Sequence, residues 1–399
     1  MNFDDTPEEA AYRAQVRAYI TEHRHELVSA GDRERREGDL TKARTSQRVM
    51  YEGGYVGITW PKEHGGQGGT PMQQAIVDQE LSRAGVPGHV GLIGLGMCGP
   101  TVMHHGSDDQ RSRYLQRLLR CDDIWCQLFS EPASGSDLAG LRTKAVREGD
   151  SWRVNGQKVW TTLAQYSDYG ILLTRTDPNV AKHRGLTMFV VDMKAPGVTV
   201  RPLKQMSGGE EFNEVFFDDV IIPDSERLGD VNDGWRVALT TLMSERLSLG
   251  GGGTEIGISS GAAVAHVNAT IGALSSDRQA LVRQDLGRVL TQQLSIRYTG
   301  YRLLSAISKG TMPGPEASAG KLAGTKAARQ MADLTVRLTG DAAVYGDGNW
   351  QAAQAGLPGM AIAGGTDEIL RNVLGERVLG LPAEPRADKG LTFTESVAL

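Results

Sequence analysis

Apolar positions near the start of the chain recur at helical spacing. Thr6-Pro7-Glu8-Glu9 forms a capping box with proline at the first helical position, which predicts a helix to about Leu27. A second amphipathic stretch runs from about Met72 to Ala84 and is stopped by Gly85. Between them Trp60-Pro61-Lys62-Glu63-His64-Gly65-Gly66 is a turn-rich loop. The pattern changes at about Cys121. Trp152-Arg153-Val154 and Gln157-Lys158-Val159-Trp160 flank Asn155-Gly156, the residue pair that favours a type I′ turn, so a hairpin is expected. Strand-like runs follow at Ile171–Thr174, Leu186–Val191, Val198–Pro202 and Val215–Ile222. From Gly234 the helical period returns, over about 235–272, 277–308, 317–339 and 367–378, and the residues after Pro382 read as a loose tail.

Helical, then β, then helical is not the alternation of a βαβ fold. It predicts a mainly α chain with a central β domain: a helical domain over 1–120, the β domain over 121–228, a helical bundle over 229–382 and a tail over 383–399. No GxGxxG follows a strand, so a Rossmann reading has no anchor.

Composition narrows the function class. The chain has 399 residues, 40% hydrophobic and 23% charged, with a net charge of -5, as in ordinary globular proteins. Its charges are scattered without a basic stripe, so nothing points to nucleic acid or an anionic membrane. No run of 18 apolar residues occurs, and the acidic start MNFDDTPEEA lacks the apolar core of a signal peptide. Cys98, Cys121 and Cys126 fit a reduced compartment, and the spacing of the last two is not that of a metal-binding pair; a cytoplasmic protein without a metal site is expected.

Candidate chemistry concentrates in three places. Phe129-Ser130-Glu131-Pro132-Ala133-Ser134-Gly135-Ser136-Asp137 offers hydroxyls and backbone N–H groups to a planar or anionic ligand, although alone it could be an ordinary turn. Trp160-Thr161-Thr162 follows, and Ala361-Ile362-Ala363-Gly364-Gly365-Thr366-Asp367-Glu368-Ile369-Leu370-Arg371-Asn372 lies near the C-terminus. These segments, with the closing Glu376-Arg377-Val378-Leu379-Gly380-Leu381-Pro382, resemble the acyl-CoA dehydrogenases in order and spacing from about Tyr12 to Pro382. The resemblance implies an N-terminal helical domain, a middle β-barrel-like domain and a C-terminal four-helix bundle. FAD would lie between the last two and reach a neighbouring subunit of a homotetramer or homodimer. The substrate would be an acyl-CoA thioester, and electrons would pass to electron-transfer flavoprotein or a similar acceptor.

Position by position, the resemblance implies FAD contacts from Gln127, Phe129, Ser130, Gly135 and Ser136. Ser130 would meet the pyrimidine side of the flavin, Trp160 would pack on the ring, and Thr162 would donate toward N5. Ser136 would also touch the thioester ligand, and Gly365, Thr366 and Glu368 would hold FAD from the C-terminal side. Two inter-subunit contacts depart from the family pattern. Ser275–Leu281 lacks the usual Phe-Gly after Arg278, and in Leu338–Ala342 only Gly340 survives of a glycine cluster.

The reaction needs a carboxylate to take the α-proton. Many family members place Glu just before the Gly-Thr of the C-terminal turn, where this chain has Gly364; the resemblance implies that its backbone N–H would still polarise the thioester oxygen. Isovaleryl- and long-chain-type relatives place the base on a helix just before an Arg, and Met243-Ser244-Glu245-Arg246-Leu247 matches. Helical spacing puts Trp235, Ala238, Leu239, Leu242 and Leu249 on one apolar face, with Arg246 near its centre and Glu245 on its shoulder. Glu245 is thus the candidate base and Met243 and Arg246 candidate substrate contacts, against a plain salt-bridged Glu-Arg step. Gly250–Gly253 would either make room for a branched or cyclic acyl group or break the helix. Two other functions remain open: a poorly catalytic partner subunit of a mixed oligomer, and a flavin monooxygenase on the same scaffold.

Overall fold

In the computed structural model, residues 4–27, 40–250, 260–311, 314–341 and 349–398 are described, without side chains at 246–250, 260–263, 308 and 349–350. The chain divides into two compact units. The first comprises residues 1–204, 210–245 and 385–399, and the second 205–209 and 246–384.

The first unit opens with α1 (Pro7–Glu22), α2 (Arg24–Leu27), α3 (Thr41–Glu52), α4 (Pro71–Ala84), α5 (Gly99–His105) and α6 (Asp108–Leu119). Thr6 caps α1 with the reciprocal capping box, and Thr70 and Ser107 do the same for α4 and α6. The expected single helix to Leu27 breaks at His23, where a new short turn begins.

Eight strands follow: β1 (Trp125–Leu128), β2 (Lys144–Glu148), β3 (Ser151–Thr162), β4 (Tyr169–Arg175), β5 (Leu186–Asp192), β6 (Val198–Leu203), β7 (Phe212–Pro223) and β8 (Arg227–Leu228). They form one sheet in the order β6-β7-β3-β2-β4-β5-β8, with β1 added parallel to β4. Alternate residues of β4 and β5 enter different cores. Ile171, Leu173, Met188 and Val190 pack with the helices, while Leu172, Phe189 and Val191 meet Trp152, Val154, Val215 and Val220 from β3 and β7. Trp152 and Phe189 lie 5.4 Å apart across this second core, so the sheet curls around it. A fully buried Phe or Leu of this kind contributes roughly 1.5–3 kcal/mol.

The hairpin expected at Asn155-Gly156 does not form. The β2–β3 turn is Gly149–Asp150, with Glu148 opposite Ser151. Asn155-Gly156 lies inside β3 at an irregularity in its pairing with β7. Here glycine serves close approach, because a Cβ at Gly156 would sit 2.7 Å from Thr143 Cα. Twelve-residue β3 gains more from pairing along β7 than two short strands would from a local turn.

Helix α7 (Gly234–Gly250) begins in this unit. Among its described side chains Val237, Ala238 and Thr241 are buried, with Trp235 and Leu242 packed beside them, whereas Leu239, expected on that face, is exposed and the side chain of Leu249 lies outside the description. Thr241 Oγ1 lies 2.8 Å from Thr101 Oγ1 of α5, and Thr240 Oγ1 lies 2.8 Å from His105 Nε2. Gly251–Gly253 lie outside the described residues.

The C-terminal segment is not loose. Helix α13 (Phe393–Val397) docks on the sheet domain through Phe393 N–H to Val180 O (2.8 Å) and Thr394 N–H to Pro178 O (3.1 Å). The Arg175 guanidinium lies 3.7 Å from the Phe393 ring centroid, and Lys182 bridges Asp388 and Asp137.

In the second unit residues 205–209 form a turn, and the other described residues carry α8 (Ser260–Thr270), α9 (Ser276–Ser308), α10 (Ser318–Thr339), α11 (Asn349–Met360) and α12 (Asp367–Arg377). Its cores are small and built around α10, with Met331 against Val289, Leu334 against Val267, and Ala328 and Ala332 against Leu357. Among the described residues no helix is long and apolar enough to cross a membrane.

Candidate functional site

The candidate residues fall in both units, and each group is built within its own. In the first, β1 carries Gln127 opposite Ile171 and runs into buried Phe129 and half-buried Ser130. The Ser130 carbonyl accepts from Val159 N–H at 2.9 Å, which ties this strip to β3. Reciprocal backbone bonds between Glu131 and Ser134, at 2.9 and 3.0 Å, then close a tight turn that leaves Gly135 and Ser136 exposed.

A buried ion pair lies beneath this strip. Lys158 Nζ donates to Glu131 Oε1 and to the Phe129 carbonyl, each at 2.9 Å, and its side chain is fully buried. Glu131 also accepts from the N–H groups of Arg142 (2.6 Å) and Thr143 (2.8 Å). Burial pushes the Glu131 carboxyl up, but Lys158 and these donors outweigh it and leave it below the usual carboxylate range. Burial pulls the Lys158 ammonium down to about 8 against the pull of Glu131. The ion pair fixes the backbone at Phe129–Glu131. Arg175 extends the arrangement by donating to the carbonyls of Ala139, Leu141 and Lys182; burial lowers it to about 10, still charged.

Beyond Lys158 the pairing of β3 with β7 shifts register before Thr161. Trp160 takes φ +60° there, and its indole is 61% exposed, edge-on to Phe212 at 6.1 Å. Thr162 lies half-buried opposite Phe212. A non-glycine residue at positive φ is uncommon, and its large exposed aromatic ring offers a face on which another flat ring could stack. That observation, together with the ordered backbone at Ser130 and the exposed loop at Gly135–Ser136, fits a flavin, and Gln127, Phe129, Ser130, Gly135, Ser136, Trp160 and Thr162 could hold it.

Glu245 is half-buried on α7. It lies four residues beyond Thr241 and seven beyond Ala238, so it continues the buried stripe by one turn. Met243 is 43% exposed on a different face. Arg246 is helical, and its side chain lies outside the description.

In the second unit, Gly364 and Gly365 have φ of +67° and +90°, a conformation suited to glycine. Thr366 caps α12, its Oγ1 accepting from Ile369 N–H at 3.1 Å. Glu368 is exposed and pairs with Arg371 at 3.3 Å. Arg278 is exposed on the first turn of α9, and Gly340 ends α10 with φ +62°. Sequence reasoning missed Lys321, which is 9% exposed and bonded to the carbonyls of Ala361 (3.3 Å) and Gly365 (3.0 Å) and to Asp367 Oδ1 (3.1 Å). It also passed over Lys158 and Glu131, although a lysine in phase with Trp152 and Val154 on a strand was a signal that its side chain faces inward. Cys98, Cys121 and Cys126 are buried free thiols.

Three stretches match family descriptions: residues 6–122 the acyl-CoA dehydrogenase N-terminal domain, 126–220 its middle domain and 232–379 its C-terminal domain. Acyl-CoA dehydrogenase FadE34 of Mycobacterium tuberculosis is 36% identical over 385 residues, covering 95% of this chain and 50% of that protein, so the chain spans half the length of this relative. Acyl-CoA dehydrogenase IpdE1 of the same organism is 33% identical over 390 residues, 94% of this chain and 98% of that one. Among solved structures, the ChsE4-ChsE5 complex from Mycobacterium tuberculosis superposes with a TM-score of 0.79 at 29% identity, covering 96% of this chain and all of that one.

Proposed function

The chain belongs to the acyl-CoA dehydrogenase family of oxidoreductases, and on that premise we propose that it oxidises an acyl-CoA thioester to the trans-2-enoyl-CoA, with FAD bound and Glu245 as the base. The observation that carries this reading is the exposed Trp160 indole at a positive-φ bulge, beside a backbone strip braced by Lys158 and Glu131. That combination offers a rigid flat surface next to fixed polar groups, as a flavin requires.

Ser130, Gly135 and Ser136 would hold the cofactor by hydroxyl and backbone groups, Trp160 would flank its ring, and Thr162 would donate to it. Gly365, Thr366 and Glu368 would contact it from the C-terminal side, with Arg278 and Gly340 acting toward a neighbouring subunit's cofactor. When bound, FAD supplies the acceptor for the hydride that leaves the substrate's Cβ. Glu245 would take the α-proton, and the electron pair of that C–H bond would become the new double bond. The Gly364 N–H would polarise the thioester oxygen as charge develops there. Because Gly364 carries no carboxylate, Glu245 is the candidate left by the family pattern, and its place at the end of a buried stripe keeps part of its side chain from water.

Homodimer or homotetramer assembly and transfer of electrons to electron-transfer flavoprotein belong to this proposal. A second reading, assembly with a different dehydrogenase chain, is favoured by the two-chain complex among the structural neighbours. The test is an anaerobic screen of acyl-CoAs with flavin absorbance as readout. Wild type should bleach with its substrate, whereas Glu245→Gln should stay yellow and bleach at least about 100-fold more slowly. Bleaching of Glu245→Gln at the wild-type rate would remove Glu245 as the base.

A further inference from the structure

We propose that Lys321 is a positioning residue that fixes the orientation of the Gly364–Gly365–Thr366 backbone; its value for the flavin rests on the reading above. Lys321 lies on the first turn of α10, on the stripe that also buries Ser318, Thr325, Ala328 and Ala332. A lysine on a stripe of small buried residues must use its ammonium or carry an uncompensated charge. All three of its N–H directions have acceptors: the Ala361 carbonyl at 3.3 Å, the Gly365 carbonyl at 3.0 Å and Asp367 Oδ1 at 3.1 Å.

Those acceptors bracket the turn. Ala361 follows the end of α11, its carbonyl also taking the Asp367 N–H at 2.9 Å, and Asp367 opens α12. Between them Gly364 and Gly365 both have positive φ. Glycine adopts either sign of φ with similar ease, so two in succession do not hold a peptide plane in one orientation by themselves. The described peptides are all trans, and in a trans peptide the carbonyl and the next N–H point in opposite directions. By holding the Gly365 carbonyl, Lys321 therefore directs the Thr366 N–H away from itself. Asp367, 6% exposed at the N-terminus of α12, keeps the ammonium in place. In effect a buried side chain substitutes for the conformational restraint that two glycines lack.

The test compares flavin-loaded wild type with Lys321→Met, Lys321→Gln and Asp367→Asn by amide hydrogen exchange and by FAD dissociation. In Lys321→Met, peptides covering residues 361–370 should exchange about tenfold faster and FAD should bind about tenfold more weakly, while peptides from α9 keep their wild-type rates. Lys321→Gln retains a donor and should fall between the two; it also replaces Lys321→Met should that variant fail to fold. Asp367→Asn keeps both carbonyl bonds and should move the turn less than Lys321→Met. Unchanged exchange at 361–370 overturns the proposal. So does loosening spread through the whole bundle, or a faster turn with unaltered FAD affinity. Failure of every acyl-CoA to bleach wild type would sink the proposed reaction and leave the exchange and affinity comparison to decide Lys321.

Discussion

Lys158 and Lys321 each direct a buried ammonium at the backbone of a candidate cofactor-binding segment, one in each unit, but their surroundings differ. Lys158 sits mid-strand, fully buried, and its partner Glu131 is itself bonded to the N–H groups of Arg142 and Thr143. Lys321 sits near the start of a helix at 9% exposure and holds a turn containing two positive-φ glycines. The first lysine is bound into the sheet, so the strip it braces depends on the fold and the fold depends on it. The second acts on a local turn, and its partner Asp367 lies in the first turn of α12, where the helix N-terminus also stabilises a carboxylate, so its loss is expected to leave the surrounding helices intact. One arrangement is expressed chiefly in stability, the other in position.

The largest effect should therefore come from Lys158→Met. It leaves the Glu131 carboxylate buried with its cationic partner gone, which costs about 3–5 kcal/mol. Chemical unfolding of the full chain measures this. Adding Glu131→Leu should recover part of the loss, but not all, because the N–H groups of Arg142 and Thr143 then lack their acceptor. If single and double variants are equally unstable, charge pairing is not what makes Lys158 matter. A loss as large in Lys321→Met would break the contrast between the two lysines.

The same features explain what the sequence made legible. Capping boxes and glycine stops are local, and Thr6 and Gly85 end their helices where expected. The motif segments were also legible, because small and hydroxyl residues at fixed spacing survive as a pattern. Long-range pairing was not. Asn155-Gly156 has the chemistry of a hairpin turn, but β7 competes for both flanks and wins. Strand alternation puts Lys158 inward with Trp152 and Val154, and would put Trp160 inward too. The bulge before Thr161 reverses Trp160, and no local residue announces it. On α7, Leu239 is apolar but exposed, because the buried face is set by Thr101 and its neighbours across the interface. Lys321 was readable in principle as a charge on a stripe of small residues, yet its partners lie 40 to 46 positions away.

A smaller, pH-dependent effect separates the strip further. The folded Glu131 carboxyl lies below its unfolded value of 4.5. Its contribution to stability is therefore complete above pH 4.5 and is lost as pH falls through the folded value. Glu131→Gln cannot titrate, so the gap in melting temperature between wild type and this variant should be widest near neutrality and narrow below pH 4.5. A gap that stays constant down to pH 3 would mean that Glu131 does not titrate with folding.

The smallest effect on stability should come from Trp160, and it bears most directly on the division between bracing and contact. Its indole is 61% exposed and meets Phe212 only edge-on at 6.1 Å, so truncation removes little packing. Trp160→Ala should change stability by no more than about 0.5 kcal/mol. The backbone at φ +60° remains unfavourable for alanine as it is for tryptophan, so Trp160→Gly should be more stable than Trp160→Ala, by up to about 1 kcal/mol. If the indole is a platform for the flavin ring, both variants should weaken FAD by about threefold to tenfold although neither unfolds more easily. A chain that gains stability and loses cofactor at one position would identify the positive φ as strain kept for binding. Should both variants bind FAD as wild type does, the exposed indole has another purpose, and the strip braced by Lys158 would have to hold the flavin without it.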